Sequence, residues 1–113
     1  MIKGKIVLLP FPFDDFSALK LRPALCLTEA TGPYHHIVVA FISSNTAVPL
    51  LSTDLLLLQG SETFSGSGLA ISSVVRVHKL LTVPKQIIKR ELGRLNPAAQ
   101  QEIKKRIAAL FDG

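Results

Sequence analysis

With 113 residues, 48% of them apolar and 19% charged, the chain has the length of one domain and a composition that excludes disorder as its default state. A single cysteine excludes a disulfide framework and fits a reducing, cytoplasmic setting. No apolar run approaches the roughly 20 residues of a membrane helix. Thirteen Lys and Arg against eight Asp and Glu leave a formal charge of +5, which points to a polyanionic partner, nucleic acid first, although the same balance serves solubility alone in many small proteins. Six Phe, one Tyr and no Trp give no evident platform for stacking single-stranded bases.

The first residues, MIKGKIVLLPFPFDD, are basic and then apolar, as a signal peptide is, but they lack a small-residue cleavage site and run at once into Pro10, Pro12, Asp14 and Asp15. They read instead as a first strand over residues 6–9, closed by prolines that remove ladder donors and favour an edge or a turn. A polar loop over 14–20 leads to a second strand over 22–28, and Gly32-Pro33 marks a turn. Residues 37–42 are apolar on both faces and read as a central strand. A fourth strand follows over 53–58, then the Gly/Ser-rich stretch QGSETFSGSG over 59–68, expected to be mobile. A fifth strand spans 69–77, continues over 79–83 after a bend, and is followed by a short strand over 92–95. Only the tail has helical period: Asn96 is suited to the N-cap and Pro97 to the first helical position, and Ile103, Ile107, Leu110 and Phe111 share one face. Glu102 and Arg106 are spaced as a helical ion pair. Short strands with one closing helix predict a small, curved β-barrel in a single domain over 1–113.

Metal chemistry has little support, because Cys26 is alone and His35 and His36, being adjacent, point to opposite faces of a strand. No GxSxG, Walker loop or GxGxxG occurs. Two segments are more pointed. In LPFPFDDFSALKLRPALCL, residues 9–27, a loop ends in Lys20 and Arg22 as a strand begins. In VVAFISSN, residues 38–45, a buried strand ends in Ser43, Ser44 and Asn45. A guanidinium and a hydroxyl meeting at one barrel rim would suit a phosphate. The plainer readings are an ion pair of Arg22 with Asp14 or Asp15, and a strand end at Ser43 that bonds its own backbone. Spacing alone favours these.

GKIVLLPFPFDDFSALKLRPALCL (4–27), VVAFISS (38–44), SGLAISSVVRVHKLLTV (67–83) and LGRL (92–95) together resemble the MazF/PemK family of toxin endoribonucleases. Order and spacing fit along nearly the whole chain, with residues 46–66 matching weakly. The resemblance implies an SH3-like barrel with a C-terminal helix and a homodimer. It also implies metal-independent, sequence-selective cleavage of single-stranded RNA without a cofactor, inhibition by a cognate antitoxin, and DNA binding through the antitoxin complex. The family's essential arginine falls on Arg22, to which it also assigns proton transfer, and its catalytic threonine falls on Ser43, which keeps the hydroxyl and loses the methyl that restricts the rotamer. Lys20, Ser44, Arg76, His78 and Lys79 are expected to meet the RNA. Lys5 stands where the family often has an acid, and His78 stands near another such position. His36 and His78 have the intrinsic pKa for proton transfer. The loops over 12–21 and 59–68, with Phe13, Phe16, Lys20 and Phe64, are expected to set RNA choice and receive the antitoxin. Leu50, Leu51 and residues 55–58 offer apolar surface for a dimer. The gyrase poison CcdB shares the fold class, so a toxin that acts by binding protein, or an inactive barrel, is the alternative.

Overall fold

The computed structural model describes residues 1–11 and 20–112. Six strands and one long helix follow one another: β1 Lys5–Pro10, β2 Leu21–Cys26, β3 His36–Ser43, β4 Leu55–Leu57, β5 Ser73–Pro84, β6 Arg90–Arg94 and α1 Pro97–Asp112. The strands form one antiparallel sheet in the order β4-β5-β3-β2-β1-β6. It curls into a half-barrel, since its outer members β4 and β6 are not neighbours. No helix of the described residues is long and apolar enough to cross a membrane.

β3 sits inside the sheet, as its two apolar faces require. Ala40 and Ile42 enter one core, with Ile6, Leu25 and Val75. Ile37, Val39 and Phe41 enter the other, with Val7, Leu9 and Ala24. This is the period-2 alternation of a strand buried on both sides. The first core is closed by α1 through Ala99 and Ile103, with Ile107 and Leu110 packed beside them. The helix begins as its sequence requires: the Ala99 N–H donates to Asn96 Oδ1 at 2.7 Å, and Arg106 Nε lies 3.0 Å from Glu102 Oε1. Phe111, expected on the packed face, is instead 73% exposed, while its neighbour Leu110 packs against the core.

β5 is one strand with a bulge. Phe41 pairs with Arg76 and Ala40 with Leu80, so three residues, Val77, His78 and Lys79, are inserted against β3. An odd insertion reverses the alternation: Val75 and Val77 face the helix-covered core, whereas beyond the bulge Leu80 takes that side and Val83 the other. This bend is the one expected between 77 and 79. The prolines of the first two strands sit where no partner needs their N–H. The β2–β3 ladder begins at Ala24, just past Pro23, and the β1–β6 ladder ends at Leu8, before Pro10.

Several expectations need correction. β4 is shorter than 53–58, and β5 begins at Ser73 rather than 69. Leu55 and Leu57 are buried, so of the leucine run Leu58 alone is well exposed and shares the surface with Leu50 and Leu51. The 59–68 segment is knitted down instead of open. Ser61 Oγ donates to the Leu58 carbonyl at 2.6 Å, the Arg94 N–H donates to the Gly66 carbonyl at 2.8 Å, and Phe64 packs against the first core. Gly68 is in the left-handed region, with φ of +75°, and lies so close to β6 that a Cβ there would collide with the Leu92 carbonyl oxygen. The readings for Phe13, Asp14, Asp15 and Phe16 lie outside the described residues.

Candidate active site

Strand register brings the two pointed segments together. Ala24 of β2 pairs with Phe41 of β3. Two residues before Ala24 on β2 stands Arg22, and two residues after Phe41 on β3 stands Ser43, on the same face. Arg76 of β5 pairs with Phe41 from the other side, which puts its side chain on that face as well. The result is a cleft of about 380 Å³ lined by Arg22, Phe41, Ser43, Ser44, Arg76 and Lys79, with Pro23, Ile42, Asn45 and Val48 completing the wall. Among the described residues its lining carries three cationic side chains and no carboxylate, a surface suited to an anion.

Each group is placed by its local structure. The Ser43 hydroxyl accepts the Asn45 N–H at 3.1 Å, and Asn45 Oδ1 in turn accepts the Ala47 N–H at 3.1 Å. The strand end therefore bonds its own backbone, as the plainer reading held. Because the oxygen is the acceptor in this bond, the hydroxyl proton is left to be donated elsewhere. Lys79, thrown onto the cleft side by the bulge, holds its Nζ 5.3 Å from the centre of the Phe41 ring. That ring is packed against Phe11 at 5.0 Å between centroids, which fixes the cleft floor.

Five of the seven residues singled out in the sequence thus line one cleft: Arg22, Ser43, Ser44, Arg76 and Lys79. Lys20 is exposed and is not part of the lining, and none of residues 59–68 reaches it. His78 is not part of the lining either; its Nδ1 lies 3.9 Å from Oδ1 of Asp54. His36 is removed from the cleft by position: it begins β3 and Ser43 ends it, a separation of roughly 23 Å at the usual strand rise. Its ring lies instead 5.9 Å from that of Tyr34. Phe41, Val48 and, behind the lining, Asp54 are additions of the structure. An acidic residue just ahead of four leucines was the signal available for Asp54. No cluster of three or more metal-ligating side chains occurs among the described residues.

A family model for PemK-like, MazF-like toxins of type II toxin–antitoxin systems matches residues 2–111. The chain belongs to that family. The family is known for endoribonucleases, so the chain is a MazF-type toxin at that level. Solved structures agree in fold. The Mycobacterium tuberculosis toxin MazF-mt6 superposes with a TM-score of 0.70 at 24% identity, over 96% of each chain. An endoribonuclease in complex with its cognate antitoxin, from a mycobacterial species, gives 0.72 at 13% identity, over 99% of this chain and 95% of that one. MazE-MazF from Deinococcus radiodurans gives 0.66 at 16% identity, over 98% and 94%. No curated protein sequence matches the chain.

Proposed function

We propose that this MazF-like chain is an endoribonuclease that cleaves single-stranded RNA without a metal ion, leaving 2′,3′-cyclic phosphate and 5′-hydroxyl ends. The observation that carries the reading is the convergence of Arg22, Ser43 and Arg76 on one cationic cleft. RNA brings its own nucleophile, the 2′-hydroxyl. A protein therefore needs to hold that oxygen in line with the phosphorus, let its proton leave, stabilise the crowded phosphate, and let a proton reach the departing 5′-oxygen. The Arg22 fork suits two phosphate oxygens, and its charge meets the extra negative charge of the transition state. A guanidinium keeps its proton and is a poor base, so charge stabilisation is the role assigned to it. The Ser43 hydroxyl, its oxygen engaged by the Asn45 N–H, donates its proton to a phosphate oxygen. Lys79 and Ser44 extend the contact along the backbone of the strand.

The same reading includes a cognate antitoxin as partner, supported by the antitoxin complexes solved for similar folds, and a homodimer. The test is incubation of the purified protein with a long single-stranded RNA, followed by end analysis. Cyclic phosphate and 5′-hydroxyl ends are expected, and a 2′-deoxy residue at the cleaved position should leave that bond intact. Uncut RNA, or cleavage of the deoxy substrate at the same bond, overturns the reading.

A further inference from the structure

We propose that Asp54 is a positioning residue of the cleft, holding Arg76 so that its guanidinium is presented to a phosphate of the RNA; this rests on the endoribonuclease reading. The Asp54 side chain is fully buried, and that of Arg76 is 13% exposed. Arg76 Nη1 donates to Asp54 Oδ2 at 2.6 Å, and the Leu51 N–H donates to the same oxygen at 2.8 Å. The backbone that carries this carboxylate is in turn tied down from the helix. Arg106 Nη1 donates to the Asp54 carbonyl and, at 3.1 Å, to the Ser52 carbonyl. Arg106 is itself held by Glu102. A chain of charge-assisted contacts thus runs from α1 through the 52–54 segment to the cleft wall.

Two features set this apart from ordinary loop anchoring. Asp54 Oδ1 has no hydrogen-bond partner among the described residues, and the nearby His78 Nδ1 lies 3.9 Å away. Capturing the Leu51 N–H needs one neutral acceptor, which an asparagine would supply. A whole buried negative charge with an unbonded oxygen is costly, and the guanidinium opposite is what it serves. The second feature is direction. Asp54 engages Nη1 and leaves the donors of Nη2 and Nε for a ligand in the cleft. A long, rotamer-rich side chain is thereby ordered before the substrate arrives, so binding does not have to order it.

The test compares the parent with Asp54→Asn, Arg76→Ala and the double variant, each first checked for an unchanged fold by circular dichroism. The Arg76 Nε–Hε resonance is read by nitrogen-15 NMR, and cleavage of an RNA oligonucleotide is resolved into kcat and KM. Asp54→Asn is expected to move the Arg76 resonance to that of a free arginine. It should lower kcat about 10- to 100-fold, the range for a misplaced or lost transition-state donor, and change KM much less. In the Arg76→Ala background the same substitution should cost less than about threefold, since no guanidinium remains to be placed. An unmoved Arg76 resonance, an unchanged kcat, or equal losses in both backgrounds overturns the proposal, the last showing a merely structural acid. If Asp54→Asn does not fold, Arg76→Lys is read instead: it keeps the charge beside Asp54 and loses the fork, and unchanged kcat there overturns the proposal. A parent that leaves RNA uncut overturns the endoribonuclease reading and the phosphate role with it. An Arg76 resonance that still responds to Asp54→Asn distinguishes that failure from a failure of the clamp.

Discussion

Arg22 and Ser43 occupy matched positions on neighbouring antiparallel strands, each two residues beyond the Ala24–Phe41 pair, and both line the same cleft. Neither lies on a loop. Each stands two residues outside the last pair of the β2–β3 ladder and neither is itself paired across it, so changes at either side chain should alter chemistry more than fold.

Arg22→Lys should therefore remove most RNA cleavage while leaving the melting temperature nearly unchanged. Lysine keeps the charge and loses the bidentate fork, and removing one well-placed donor typically costs about 10²–10³ in rate. Ser43→Ala should cost less, because water can take part of the role of one hydroxyl. Ser43→Thr should keep or raise activity by restricting the rotamer of the same hydroxyl. Initial rates on one RNA substrate check all three, and full activity in Arg22→Lys would show the site to be misassigned.

Cleavage should persist unchanged in excess EDTA, because the cleft's charge comes from Arg22, Arg76 and Lys79 and its lining carries no carboxylate among the described residues. Loss of activity in EDTA with recovery in Mg²⁺ would require a metal-assisted route in its place.

Light scattering at micromolar concentration should give twice the chain mass. Leu50, Leu51, Leu58 and Ile71 are exposed on segments around β4 and β5, an apolar surface that a second copy would cover. Leu51→Glu should shift the protein toward monomer; a monomeric parent would remove the basis for this assignment.

Asn96→Ala should destabilise the fold by about 1–2 kcal/mol, seen as a drop of several degrees in thermal melting. Two bonds are lost together: the cap to the Ala99 N–H at 2.7 Å, and Nδ2 donating to the Glu62 carbonyl at 3.0 Å. Asn96→Asp keeps the cap and loses only the donor, so its drop should be smaller.

Burial, followed by the nearby Glu91 carboxylate, pushes the Cys26 thiol up from 9.0 to about 11. Its folded value lies above its unfolded one. The associated stability is thus fully present below about pH 9 and is lost as the pH rises toward about 11. Urea midpoints measured across that window should fall more steeply for the parent than for Cys26→Ala. At pH 8, alkylation of the native thiol should wait on opening of the structure, its rate climbing with added urea.

Much of the architecture is legible along the chain because it depends on neighbours. The unbroken apolar run over residues 37–42 marks a strand buried on both faces, and Asn96-Pro97 marks where α1 starts. The paired charges of Glu102 and Arg106 sit one helical turn apart. The motif around Arg22 and the Ser43 strand end carry the family resemblance and two of the cleft's principal groups. Phe111 shows the limit of periodicity: its spacing suits the packed face, yet Leu110 takes the contact with the core and Phe111 is left exposed.

What the tertiary structure decided is which of these groups meet. His36 and Ser43 lie on the same strand and are kept apart by its length, whereas Arg22 and Arg76, distant in sequence, are joined through pairing with β3. The inserted residues Val77, His78 and Lys79 bring Lys79 to the cleft lining and His78 beside Asp54, an outcome that depends on the register against Ala40 and Phe41. Asp54 reads as one more surface acid until β4, β5 and α1 close around it and leave Arg76 as the charge beside it. Alternation and capping are local and can be read residue by residue. Register, burial of a charge and the meeting of strand ends arise from contacts between distant segments, and only the assembled sheet and helix determine them.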